Sequence, residues 1–315
     1  MSDYKKVINK NVDLLLIQFP IIFPIIYYLS LINFPAYESF IIFITLFVLA
    51  EPHFGATWPF FLDKQNKNEI LNNKLIYIYA PILIVFFSVT GFFLFQTIFI
   101  LIFFAFNIFH VTRQSIGISK LYSSNRDEIE YQEIVLYNFN LILFAVGVLR
   151  FYLPNIITIN TFYLNIVLIS VLLTIYIVYY LKYRNFKNLL TLVTGTLIFY
   201  PICFMDKPIH ALIMGVTMHY SQYLILTSKI FYKRRIQDNL NKFMNKKNII
   251  YFISILLIYG LLMSSLAFLP KLDISFKNII IIPLVGQMLH FYLDSFLWRF
   301  SNKHHRDVSF NHIYD

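Results

Sequence analysis

Four histidines lie within apolar stretches of the sequence, namely His53, His110, His219 and His290. Imidazole is costly in hydrocarbon unless its nitrogens find partners, so a histidine inside a membrane should face the interior of a helical bundle. Neutral imidazoles suit iron, zinc, copper or nickel, whereas magnesium and calcium prefer oxygen ligands. The four residues therefore predict one metal site inside a bundle. The alternative is that each histidine only forms a hydrogen bond with a neighbouring helix.

Polar side chains accompany these histidines at helical spacing. Asp294 follows His290 at i+4, so the imidazole and the carboxylate share one helical face, and Asp294 could orient His290 or bind the metal itself. Arg113 follows His110 at i+3 and could pair with Asp294, while the alternative is a side chain that snorkels to the membrane surface. Three further residues are expected to support the ligands, namely Glu51, Gln114 and Gln222.

The composition indicates which elements must position these residues. The chain has 315 residues, of which 58% are apolar, 19% aromatic and only 13% charged. Soluble domains carry about 25% charged residues, so we expect an all-α, polytopic transmembrane helical bundle. An apolar stretch must cover about 30 Å of hydrocarbon at about 1.5 Å per residue. Ten stretches qualify, at 12–33, 38–62, 74–95, 97–119, 131–153, 162–181, 188–203, 207–229, 248–268 and 278–300.

The basic residues indicate the orientation of these ten helices. With the N-terminus in the cytoplasm, all but four of the 26 Lys and Arg residues fall in cytoplasmic regions, as the positive-inside rule predicts. Both termini are then cytoplasmic, and a single transmembrane domain over 1–300 precedes a polar tail over 301–315. The four histidines lie 12 to 15 residues into helices of the same direction. They should therefore share one depth to within about 5 Å.

Other features exclude several classes of function. The net charge of +10 follows from the basic cytoplasmic loops, which face anionic lipid head groups, so nucleic acid is not an expected partner. A single cysteine, Cys203, excludes an intramolecular disulfide and a thiolate cluster. The first apolar segment has no cleavage signature and is expected to be retained. We expect His210 and Trp298 at the membrane interface, and a solvated tail for the remaining histidines, His304, His305 and His312.

The sequence Pro52-His53-Phe54-Gly55, followed at long intervals by His110 and His219, resembles the Brp/Blh family of membrane β-carotene dioxygenases. The resemblance extends from Glu51 to Tyr223. It implies an all-helical membrane protein with a non-haem iron bound by intramembrane histidines. In that family a further histidine follows the third ligand by one turn, where this chain has Tyr223, and His290 could supply the missing ligand.

We therefore expect an integral membrane oxygenase with Fe²⁺ as its cofactor, although zinc or haem b stay open. Its substrate would be an apolar lipid, isoprenoid or carotenoid-like molecule from the bilayer, and its partners membrane lipids. The candidate catalytic residues are Asp294, Arg113 and Tyr223. The alternatives are a transporter that uses His290, Asp294, Glu51 and Arg113, a haem-binding electron-transfer protein, or a non-catalytic membrane protein. The expected location is a bacterial inner (plasma) membrane.

Overall fold

The computed structural model of the chain describes residues 7–154, 160–238, 242–299, 302–308 and 313, without the side chains of 235–238 and 242–248. Every regular element in these ranges is a helix, which confirms the predicted all-α class. The principal helices are α1 Lys10–Gln18, α2 Ile22–Asn33, α3 Pro35–Phe61, α4 Leu75–Leu94, α5 Gln96–Tyr122, α6 Arg126–Phe151, α7 Thr161–Tyr183, α8 Phe186–Leu197, α9 Pro208–Asp238, α10 Lys242–Leu272, α11 Ile274–Leu297 and α12 Lys303–Val308.

Among the described residues, seven helices are long and apolar enough to cross a membrane, namely α3 to α7, α10 and α11. The pair α1 and α2, bent by 55°, would make an eighth span if it crosses as one unit. These helices indicate a membrane protein. The count of ten spans and the cytoplasmic position of both termini stay predictions.

Two of the predicted spans are not among these helices. The stretch 188–203 is a 12-residue helix, α8, followed by a short 3₁₀ turn over Tyr200–Cys203. A helix of that length reaches only about 18 Å, which is too short to cross the hydrocarbon. The stretch 207–229 falls in α9, which has 31 residues. Polar residues such as His210, His219 and Gln222 lower its hydropathy below that of the seven apolar helices.

The chain forms two compact units, and α5 and α9 each contribute residues to both. The first, which we call the α3–α11 unit, comprises Met1–Ile8, Phe34–Asn107 and Tyr223–Asp315. The second, the α6–α8 unit, comprises Asn9–Asn33 and Ile108–Gln222. The single domain over 1–300 stays a prediction.

In the α3–α11 unit, α10 packs closely along α3. Two glycines permit this approach. A Cβ on Gly260 would lie 2.6 Å from the carbonyl oxygen of Phe47, and a Cβ on Gly55 would lie 2.8 Å from the ring of Tyr259. Because heavier side chains would force the helices apart, these two positions fix where the middle of α3 lies against α10.

In the α6–α8 unit, a buried polar network joins the starts of α6 and α8 to the end of α7. Glu128 is fully buried and accepts hydrogen bonds from the backbone N–H of Ser124, at 2.7 Å, and from the hydroxyl of Tyr179. Gln132 donates to the Tyr179 hydroxyl at 3.0 Å and to the carbonyl oxygen of Asn188 at 2.9 Å. Such a network stabilises a membrane bundle because its polar groups satisfy one another.

Candidate metal centre

His53 lies in an irregular part of α3. Leu46–Ala50 form a π-helical segment, in which the backbone N–H of Glu51 donates to the carbonyl of Leu46, five residues earlier. Pro52 follows at once, and in a regular helix its ring would clash with the carbonyl four residues before it. The wider π turn relieves that clash, and π segments are frequent at functional sites. His53 is fully buried just after this irregularity.

On α11, His290 and Asp294 lie one turn apart, as the i, i+4 spacing predicts. Both are buried, and Nε2 of His290 lies 3.6 Å from Oδ2 of Asp294. Two ligand atoms at that separation can bind the same cation with ordinary bond lengths of about 2.0 to 2.2 Å. The pair is therefore a candidate for two positions in a metal site.

Thr57, one turn after His53 on α3, connects α3 to this pair. Its hydroxyl oxygen lies 2.6 Å from Nδ1 of His290 and 2.7 Å from Oδ1 of Asp294. Thr57 is fully buried. A single hydroxyl thus holds both the imidazole and the carboxylate on α11.

The contacts of Thr57 determine which nitrogen of His290 carries its proton. The threonine hydroxyl has one proton, which it donates to Asp294 Oδ1. It can then only accept from the imidazole, so Nδ1 of His290 carries the proton. We assign this tautomer from the hydrogen-bond network. Nε2 then has a lone pair that faces Oδ2 of Asp294, the arrangement that a metal ligand requires.

Tyr223 supports the same carboxylate from α9. Its hydroxyl donates to Oδ1 of Asp294 at 2.9 Å, and the indole N–H of Trp298 donates to the Tyr223 oxygen at 3.0 Å. Trp298 therefore supports the buried centre, in addition to the interfacial position that its sequence context indicates. Because Oδ1 of Asp294 accepts from both Thr57 and Tyr223, the carboxylate is held with Oδ2 toward His290.

His53 completes the group in the α3–α11 unit. Its ring centroid lies 4.6 Å from that of His290 and 4.3 Å from that of Tyr223. Phe54 and Phe291 pack against the His290 ring, at centroid distances of 5.1 and 5.9 Å. Two imidazoles and one carboxylate thus meet among aromatic rings, in surroundings that restrict the access of water.

Glu51 lies on the same part of α3 and is buried. Its Oε1 accepts a hydrogen bond from the side-chain amide of Gln287 on α11, at 3.0 Å. Gln287 precedes His290 by three residues, so this bond fixes α3 against α11 about one turn from the histidine. Glu51 therefore has a structural role between α3 and α11, and its support of the metal ligands stays a prediction.

The α6–α8 unit contains the other two histidines. His110 on α5 and His219 on α9 are both buried, and their rings lie 5.8 Å apart in a nearly perpendicular arrangement. Next to His110 in α5, the hydroxyl of Thr112 accepts a hydrogen bond from the side-chain amide of Asn140, at 2.9 Å. These two imidazoles are therefore neighbours in the interior of this unit.

Three further candidate residues of this unit differ in their burial and contacts. Gln222 donates to the carbonyl of Ile17 at 2.6 Å and so ties α9 to α1. Gln114 is partly buried on α5. Arg113 is exposed, and its guanidinium carbon lies 5.7 Å from the ring centroid of Phe109. This exposure does not fit a buried catalytic role for Arg113 and agrees with the snorkelling alternative.

Two expectations about other histidines need correction. His210 is buried, and its Nδ1 lies 2.8 Å from the hydroxyl of Tyr27 on α2, so it is part of the helix packing. His305 in the tail is also buried, and its Nε2 lies 3.1 Å from the Tyr77 hydroxyl. His304 contacts Asn66 at 2.9 Å. This part of the tail packs against the protein because α12 folds back; His312 lies outside the described residues.

The residue that sequence reasoning missed is Thr57. A threonine in an apolar helix usually satisfies its own hydroxyl by a bond to the carbonyl four residues earlier, as Thr45 does at 2.8 Å. The available signal was the i+4 spacing from His53, which places both side chains on one face of α3.

The buried groups of this helical protein that could hold a metal ion include His53, His110, His219, His290 and Asp294. That all four histidines bind one ion stays a prediction from the sequence. No protein-family model matches the chain, and no curated protein or solved structure matches it.

Proposed function

We propose that this chain is an integral membrane oxygenase that depends on a non-haem iron and acts on an apolar lipid or isoprenoid-like substrate. One observation carries the proposal, namely the buried pair of His290 and Asp294, whose Nε2 and Oδ2 atoms lie 3.6 Å apart, with the ring of His53 4.6 Å from that of His290. Two histidines and one carboxylate are the ligand set of many non-haem iron oxygenases. His53, His290 and Asp294 would hold such an iron, which would supply the oxidising chemistry with dioxygen.

The residues around this set have separate tasks. Thr57 keeps the proton of His290 on Nδ1, which leaves Nε2 for the metal. Tyr223 and Trp298 orient the carboxylate of Asp294, so we propose Tyr223 as a positioning residue. Phe54 and the neighbouring aromatic rings exclude water and present an apolar wall to the substrate. Partners of this kind commonly alter metal affinity by about 10- to 100-fold when they are removed.

His110 and His219 are proposed as further ligands on the strength of the sequence. With His53 they follow the order of histidines in the Brp/Blh family, and a carotenoid-like substrate follows from the same resemblance. Tyr223 stands where that family has a histidine, and His290 with Asp294 offers a different completion of the ligand set. The proposed location is a bacterial inner membrane, with substrate entry from the bilayer.

The transporter alternative has less support. It requires a relay of buried ionisable groups, and Arg113, one of its four members, is exposed on α5. Glu51 is buried but has the amide of Gln287 as a hydrogen-bond donor. That bond gives the carboxyl group a structural role between α3 and α11.

Oxygen uptake tests the proposal. The protein is reconstituted in lipid nanodiscs, loaded with Fe²⁺ without oxygen, and then mixed with oxygenated buffer and a set of polyene lipids. We expect substrate-dependent oxygen uptake by the wild type, little uptake by Asp294→Ala, and full uptake by His210→Ala, which changes a buried histidine that is not part of the proposed set. Equal uptake by Asp294→Ala and the wild type would overturn the proposal.

A further inference from the structure

A pocket of about 430 Å³ opens between the end of α3 and the start of α4. We call it the α3–α4 pocket. Its volume falls in the usual range for small-molecule sites, about 300 to 1,000 Å³. The apolar part of its lining includes Phe61, Leu62, Leu71 and Tyr77. The pocket lies where two candidate spans end, a position that an amphiphile in the bilayer can reach.

The charged residues that line this pocket leave it with a positive rim. Asp63, Lys64 and Lys67 all contribute to the lining. The carboxylate of Asp63 forms a salt bridge with the guanidinium of Arg234 at 3.0 Å, and both side chains are largely buried. Lys64 and Lys67 are exposed. Since the carboxylate is paired within the protein, the two lysines are suited to an external anion.

Aromatic rings extend from this pocket toward the proposed metal set. Phe61 in the pocket wall lies 6.2 Å from the ring of Trp58, which directly follows Thr57 in the sequence. On the other side, Tyr77 lies 6.1 Å from Phe296, two residues after Asp294. An apolar chain held at the pocket would thus lie against the same helices that carry Thr57 and Asp294.

We infer that the α3–α4 pocket binds the head group of a long-chain carboxylate, whose apolar chain is the substrate of the proposed oxygenase. The inference rests on the proposed function and narrows the substrate to an amphiphile with a terminal anion. The lysines pair with the carboxylate, and the apolar wall contacts the first part of the chain. Electrostatic pairing at exposed lysines gives selectivity for charge and depends on salt.

Tryptophan fluorescence can test this binding, because the chain has only 2 tryptophans and Trp58 lies next to the pocket wall. Dibrominated stearate, which quenches tryptophan at short range, is titrated into the protein in phosphatidylcholine nanodiscs, and its uncharged methyl ester serves as the reference probe. The test variant is Lys64→Gln/Lys67→Gln. The control is Lys120→Gln/Lys182→Gln, which removes two exposed lysines of the other unit. Trp58→Phe verifies the reporter.

We expect saturable quenching by the acid, with half-saturation raised up to about tenfold in the test variant and unchanged in the control. The ester should bind the wild type no better than the acid binds the test variant. Equal half-saturation for acid and ester, or for test variant and wild type, would overturn the inference. Competition by phosphatidylglycerol as strong as by stearate would also overturn it, because the pocket would then hold a structural lipid.

Metal content measured on the same samples separates this inference from the proposed function. Selective binding of the acid by a protein without metal would refute the oxygenase and with it the role of the carboxylate as substrate. Bound iron without selective binding would refute the inference alone.

Discussion

Replacement of Thr57 by valine should weaken metal binding without a change in side-chain shape. The substitution removes the hydroxyl that lies 2.6 Å from Nδ1 of His290 and 2.7 Å from Oδ1 of Asp294. Asp294 keeps the hydrogen bond from Tyr223 at 2.9 Å, whereas His290 loses the acceptor that fixes its tautomer. Loss of such a partner of a ligand costs about 10- to 100-fold in metal affinity. That range corresponds to about 1.4 to 2.7 kcal/mol.

The assay is a competition for Fe²⁺ or Co²⁺ between the purified protein and a chromophoric chelator. Thr57→Ser retains the hydroxyl and should bind metal with nearly wild-type affinity. Thr45→Val is the matched control, because it makes the same change on α3 where the hydroxyl only bonds to the carbonyl of Ile41. The reasoning would be refuted if Thr57→Val and Thr45→Val had equal affinities, or if Thr57→Ser lost as much as Thr57→Val.

Three further predictions concern stability and are measured by thermal unfolding in detergent. Glu128→Gln should destabilise the α6–α8 unit by about 1.5 to 3 kcal/mol, because it replaces a buried charged acceptor with an amide. The control Glu130→Gln, which changes an exposed pair with Arg126, should cost at most about 0.5 kcal/mol. Similar losses of stability in the two variants would contradict the proposed role of the network. Gly260→Ala should cost about 1 to 3 kcal/mol, since its Cβ would lie 2.6 Å from the Phe47 carbonyl, and an unchanged unfolding temperature would count against this packing. Burial, and then the neighbouring His304, lower the pKa of His305 from 6.5 to about 4. The unfolded chain binds more protons between these values, so stability should fall as the pH drops from about 6.5 to about 4, and His305→Gln should flatten this dependence.

Part of the site could be predicted because its signals are local. The i, i+4 spacing of His290 and Asp294 fixes them on one face of a helix wherever the helix lies. Burial of the histidines in apolar segments follows from the cost of imidazole in hydrocarbon. The contacts of Thr57 could not be predicted, because they join α3 to α11 across more than two hundred residues and depend on how the helices pack.

The limits of the fold prediction have a similar cause. An apolar stretch such as 188–203 does not reveal whether it is a span or a short buried helix, since both bury apolar residues. The irregular turn over Tyr200–Cys203 ends α8 early. The burial of His305 results from the packing of α12 against Tyr77, and no periodicity in a polar tail indicates that contact.

The most direct test of the metal centre is elemental analysis of the protein purified without chelators, with an absorption spectrum of the same samples. The wild type and His210→Ala should contain about one iron per chain without a haem band, and His290→Ala and Asp294→Ala should lose it. A wild type without metal, or with metal that both of these substitutions leave in place, would contradict the account.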